Sequence, residues 1–182
     1  MGTIAQSLGE TVHLSPLLRK AARLGLPAAG DLLRLAVYRG CIHYTPPDYD
    51  WSTVCEPGRE QWSNLELAVA LLTAAQVYDP HLIRCAAQLL GSPDIPPRAL
   101  CRLARMERCG PVVRHIANAA VRYDQGHEAF WREVLAGLPP GRPIRQGVMP
   151  HPTRFLVQTG VSGPASPVRS RSVWLRPRPI TR

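Results

Sequence analysis

The sequence predicts an all-α fold: a compact bundle of about six or seven short helices, followed by a tail outside the core. Three observations predict it. Apolar residues between positions 13 and 138 recur at three- and four-residue spacing rather than in alternation. Capping and stop residues punctuate them at short intervals. Residues 139–182 hold nine prolines, eight arginines and no acid, leaving too few apolar groups for a core of their own. The expected division is a helical domain over 1–138, with a long aromatic and acidic loop at 41–61, and a disordered Arg/Pro-rich tail over 139–182.

Ser15-Pro16 opens the first helix, a hydroxyl cap followed by a proline whose missing N–H costs nothing there. Leu17, Leu18, Ala21 and Leu24 give it one apolar face, and Gly25 with Pro27 ends it. A second helix is expected over 31–39, with Leu32, Leu35 and Ala36 inward and Gly40 as its stop. Between 41 and 61 the period is lost. His43, Tyr44, Tyr49 and Trp51 alternate there with prolines and acids, and a loop of about 20 residues is long enough to suggest a functional role. Ser63-Asn64-Leu65-Glu66 is a capping box, and the residues after it are apolar on nearly every face, as in a central buried helix. Asp79-Pro80 opens the next helix, with Leu82, Ile83, Ala86, Leu89 and Leu90 inward and Gly91 as its stop. Pro97 starts a helix expected to reach Cys109. Gly110-Pro111 starts another, carrying Val112, Val113, Ile116, Ala117 and Ala120, and a last helix near 128–138 buries Phe130, Trp131, Val134 and Leu135.

The connections are short, which favours neighbours stacked in order. Arg84, Ala87 and Gln88 echo Arg114, Ala117 and Asn118 at an offset of 30, a pattern also produced by helical repeats. Two stretches of the tail stand out against its composition: 154–159 is strand-like, and Val173-Trp174-Leu175 is an apolar knot able to dock.

Charge is divided along the chain. The net +9 resides almost wholly in 139–182, since the first 138 residues carry only +1. Within them, 44–95 carries −5 and 96–123 carries +5. Arg98, Arg102 and Arg105 stand at i, i+4 and i+7, opposite the Leu100–Leu103 face, and Arg114 and Arg122 follow. Such a ridge with a basic tail suits phosphates or an acidic partner, without reading bases. Lys20 is the sole lysine among 22 basic residues, as expected of arginine-biased coding or of planar, bidentate recognition.

The chemistry of catalysis and metal binding is thinly represented. Cys41, His43 and Cys55 follow no zinc spacing. His81 and Cys85 share a helix face, as a thiol and its base would, but no third group orients them. Asp48 and Asp50 flank Tyr49 as a solvated turn would. No glycine-rich phosphate loop follows a strand. An odd set of five cysteines without framework spacing reads as free thiols in a reducing compartment. No secretory signal or spanning run is visible, and Gln6 occupies the position where a myristoylation motif wants Ser or Thr.

These readings converge on a soluble, cytoplasmic, non-enzymatic interaction (adaptor) protein without metal or cofactor, binding another protein and not a membrane. The alternative is nonspecific nucleic-acid binding. The candidate contacts are Arg98, Arg102, Arg105, Arg114 and Arg122 for nucleic acid or an acidic partner, and His43, Tyr44, Tyr49 and Trp51 for a partner-binding loop.

Overall fold

The computed structural model describes residues 15–41, 59–74, 78–141, 144, 147–159 and 171–178. Their fold is all-α apart from one small sheet. The helices are α1 (Pro16–Arg23), α2 (Ala29–Tyr38), α3 (Asn64–Ala74), α4 (Pro80–Leu90), α5 (Pro97–Met106), α6 (Gly110–Tyr123) and α7 (Glu128–Gly137). Short 3-10 turns cover Arg59–Gln61 and Pro152–Phe155. Strands β1 (Leu156–Thr159) and β2 (Arg171–Trp174) pair antiparallel, with Leu156 opposite Trp174.

The caps are those that local chemistry dictates. Ser15 Oγ accepts from the Leu18 N–H at 3.0 Å. At α3 the box closes both ways: Ser63 Oγ accepts from Glu66 N–H at 3.1 Å, and Glu66 Oε2 accepts from Ser63 N–H at 3.0 Å. Lys20 Nζ donates to Glu66 Oε1 at 2.8 Å, tying α1 to α3. Burial pushes the Glu66 carboxyl up, but Lys20 and Ser63 together hold it below its ordinary value. Asp79 caps α4 through the N–H groups of His81 and Leu82.

Two boundaries depart from expectation. Helix α2 begins at Ala29 because Asp31 Oδ2 reaches back to the Ala28 N–H at 2.9 Å, making a usable start two residues earlier. Helix α5 ends at Met106, three residues short, because Arg108 takes a left-handed φ of 58°. The buried Glu107 beside it accepts from the Leu17 N–H at 3.0 Å, placing a carboxylate at the positive end of α1.

Helix α3 is the centre, packed by α1, α2, α4 and α5. Its residues from Leu67 to Thr73 are all buried, so an amphipathic stripe would have been the wrong pattern for it. Helix α7 closes on α5 and α6; Gly137 lies so near α5 that a Cβ would come 2.7 Å from Cys101 Sγ. The echoing segments are α4 and α6. The first packs back on α3 and the second forward on α7, so the offset of 30 has no common place in the packing.

The two tail stretches that the sequence marks as exceptions pack onto the bundle. Phe155 and Trp174, each 2% exposed, belong to the bundle's core, and Leu175 is buried as well. Mean composition hid this: a few apolar residues, too sparse to make a core alone, suffice to complete one built by helices.

Two glycines make room for the docked chain. Gly40 takes φ 101°, and a Cβ there would strike the backbone of Arg178, whose N–H donates to Gly40 O at 3.0 Å. At Gly91 a Cβ would meet Arg176 Cγ at 3.2 Å and Trp174 Cδ1 at 3.3 Å. Gly40→Ala should therefore lose about 1–2 kcal/mol from the left-handed backbone alone. It should also speed hydrogen exchange at the Arg178 amide by at least about tenfold. Unchanged exchange at that amide would show that the contact is not what holds the segment.

Candidate functional site

The described residues form a concave site of mixed polarity where the α4–α5 connection faces the α6–α7 turn. Helix α4 stops at Gly91, and Pro93, Pro96 and Pro97 stiffen the connection that follows. Helix α6 runs out at Asp124, whose N–H closes on Ala120 O at 2.7 Å. Gly126, at φ 89°, then turns the chain into α7, and the first turns of α7 present Phe130 and Trp131.

Asp124 is the anchor. It is 1% exposed, and its carboxylate is divided between two donors. Oδ2 accepts from Trp131 Nε1 at 2.8 Å, and Oδ1 accepts from an Arg176 terminal nitrogen at 2.5 Å. The Arg176 Nε donates to Gly91 O at 3.1 Å, so the guanidinium bridges the ends of α4 and α6. Trp131 is wholly buried, edge-on to Phe130 at 4.7 Å and 5.7 Å from Trp174. A buried charge is tolerated only when paired and hydrogen-bonded, and here both conditions are met.

Outside this anchor opens a groove of about 470 Å³. Asp94 and Glu133 stand exposed on its rim, Ile95 and Phe130 supply apolar wall, and His127 lies half-buried within it. Among the described residues that line it there is no lysine or arginine. Asn64 Nδ2 lies 3.3 Å from both Asp94 oxygens, fixing that carboxylate. Glu133 has only a loose 3.6 Å contact with the almost fully exposed Arg98, which water screens.

The arginines separate by role. Arg98, Arg102, Arg105 and Arg122 are exposed. Arg98 and Arg105 flank a second groove of about 440 Å³ between α5 and α7, and Arg105 Nε donates to Cys101 O at 3.2 Å. Arg114 is half-buried and donates to Leu135 O at 2.8 Å and Leu138 O at 2.9 Å, satisfying carbonyls at the end of α7. Its side chain is therefore already engaged within the bundle. His43, Tyr44, Tyr49 and Trp51, along with Asp48, Asp50 and Cys55, lie outside the described residues.

Cys41, Cys85, Cys101 and Cys109 are free and buried. Burial pushes Cys85 up to about 12, against the pull of Arg84, and raises Cys109 to about 12. Cys41 is raised by burial and by Cys85. His81 is exposed while Cys85 is fully buried, so the shared helix face does not give a reactive thiol. Among the described residues, no group of three or more His, Cys, Asp or Glu could hold a metal ion. None of their helices is long and apolar enough to cross a membrane.

Sequence reasoning missed Asp124, Trp131 and Arg176 as a unit. Asp124 and Arg176 are 52 residues apart, which puts their pairing beyond any local pattern; the available signal was the Trp174-Leu175 knot next to an arginine. The chain matches no protein-family model, no curated protein and no solved structure.

Proposed function

We propose that the protein is a non-enzymatic interaction module that binds another protein through the groove beside the α4–α5 connection. One observation carries this reading: the groove has two rim carboxylates, an aromatic wall and no cation among its described lining residues, on a proline-stiffened frame. Such a surface complements a cationic, partly apolar segment, and its stiffness lowers the ordering cost of binding. The buried, proton-holding thiols support a role without covalent chemistry and fit a reducing, cytoplasmic setting.

A second reading has its own observation. Arg98, Arg102, Arg105 and Arg108 are all exposed on α5 and just beyond it, where phosphates could reach them. One experiment separates the two. Immobilised full-length chain is compared with Asp94→Lys/Glu133→Lys and with Arg102→Glu/Arg105→Glu, each checked for unchanged helical circular dichroism. The protein reading expects a retained protein to be lost by at least about tenfold in the first variant and kept in the second. Retention of nucleic acid that falls steeply with salt, and vanishes only in the second variant, would replace it. Identical retention by all three chains removes both.

A further inference from the structure

The groove beside the α4–α5 connection and an element suited to fill it stand on the same chain. We infer that the groove receives a second copy of this protein, which docks the cationic C-terminal tip of its own α5, so that copies join head to tail. The inference rests on the proposed reading of the groove as a site for a cationic, partly apolar segment, and it names that segment.

The tip of α5 has the required chemistry. Arg102, Arg105, Met106 and Arg108 are all exposed there. Met106 is 59% exposed, more than any other large apolar side chain among the described residues. Glu107, the one acid between positions 98 and 108, is buried and accepts from the Leu17 N–H, so its charge does not offset the arginines outside. What the tip offers to solvent is therefore three guanidinium groups beside one thioether chain. A lone exposed apolar residue needs no explanation by itself. Here it stands among cations, and the same chain carries the complement of both.

The groove supplies the opposite of each feature. Asp94 and Glu133 on its rim suit guanidinium groups, which bind carboxylates through paired N–H donors. The Phe130 ring in its wall suits a methionine sulfur, a contact that adds to the apolar area removed from water. Position excludes the chain's own tip. The groove is built at the start of α5, from Asp94 to Pro97, and the tip lies at the other end, about 15 Å along a rigid helix. Only another copy can bring the two together. Such a contact joins different patches, so each pair leaves one groove and one tip open for further copies. Exposed ion pairs contribute little singly, so the association is weak and grows with concentration.

The test is sedimentation velocity on full-length chain from about 1 µM to about 1 mM, with two variants. Arg102→Glu/Met106→Glu spoils the tip and Asp94→Lys/Glu133→Lys spoils the groove, each checked for cooperative melting. Wild type should gain mass with concentration, beyond a dimer. Each variant alone should associate at least about tenfold more weakly. Their equimolar mixture should recover association but stop at dimers, because each mixed pair holds only one intact groove and one intact tip. Should a double variant fail to melt cooperatively, Met106→Gln and Glu133→Gln carry the same comparison. A monomeric wild type, association indifferent to both variants, or a mixture that recovers nothing overturns the inference. If wild type stays monomeric while immobilised chain still loses a retained protein on Asp94→Lys/Glu133→Lys, the second copy alone is overturned and the proposed function stands.

Discussion

Replacing Asp124 with alanine is expected to cost about 3–5 kcal/mol of stability, the range for breaking a buried ion pair by removing one partner. The reason is what remains behind. Arg176 loses its counter-ion at the 2.5 Å contact, and the buried Trp131 Nε1 loses its acceptor. An orphaned buried donor costs its full desolvation, and an orphaned charge more. Asparagine should be milder yet still harmful, because one of its two terminal groups is a donor and would face a donor. The double variant Asp124→Ala/Arg176→Ala should cost clearly less than the sum of the two single variants, since the second change removes a charge already stranded. Urea unfolding with an unchanged m-value measures these costs. A loss under about 1 kcal/mol for Asp124→Ala would mean that water reaches the carboxylate and the anchor is weak.

Where the sequence was legible, the physics was local. The Ser63–Glu66 box, the Asp79 cap and the Gly40 and Gly91 stops each depend on residues within one turn, so reading them in order finds them. The central place of α3 was legible for a related reason: a run apolar on every face has only one place to go. The end of α5 was not: Arg108 takes a left-handed φ, and the neighbouring Glu107 meets Leu17, 90 positions away, of which local propensity carries no trace.

The site was less legible than the fold. Apolar counting placed 139–182 outside the core, yet Phe155 and Trp174 join it, with Trp174 packed against Trp131 and Phe155. The strand-like stretch and the apolar knot were both visible as exceptions, and they pair with each other as β1 and β2. What the sequence did not show was their destination, which depends on glycines at the ends of two separate helices and on one buried carboxylate. Charge had the opposite failing. It marked Arg114 together with Arg98, Arg102 and Arg105, although Arg114 sits against the end of α7 and serves its carbonyls. A ridge read from spacing cannot distinguish an arginine facing water from one turned toward a neighbouring helix.

Trp131→Ala is expected to lose about 3–5 kcal/mol, with the fully buried ring arguing for the upper half of that range. The indole is edge-on to Phe130, lies against Trp174, and supplies Asp124 with one of its two donors, so alanine opens a cavity and unbalances the carboxylate at once. For a chain of this length each kcal/mol corresponds to about 2–4 °C, so the midpoint should fall by roughly 6–20 °C. Trp131→Phe separates the two contributions. It keeps most of the apolar volume and removes only the N–H, so it should cost about 1–2 kcal/mol. Because Trp174 packs on the same ring, Trp131→Ala should also shift tryptophan emission toward the red as the Trp174 indole meets water. If thermal unfolding shows a large loss without that shift, the C-terminal segment is held by Asp124, Gly40 and Gly91 without help from Trp131. The arginine and the main chain would then outweigh the aromatic contacts in holding the segment in place.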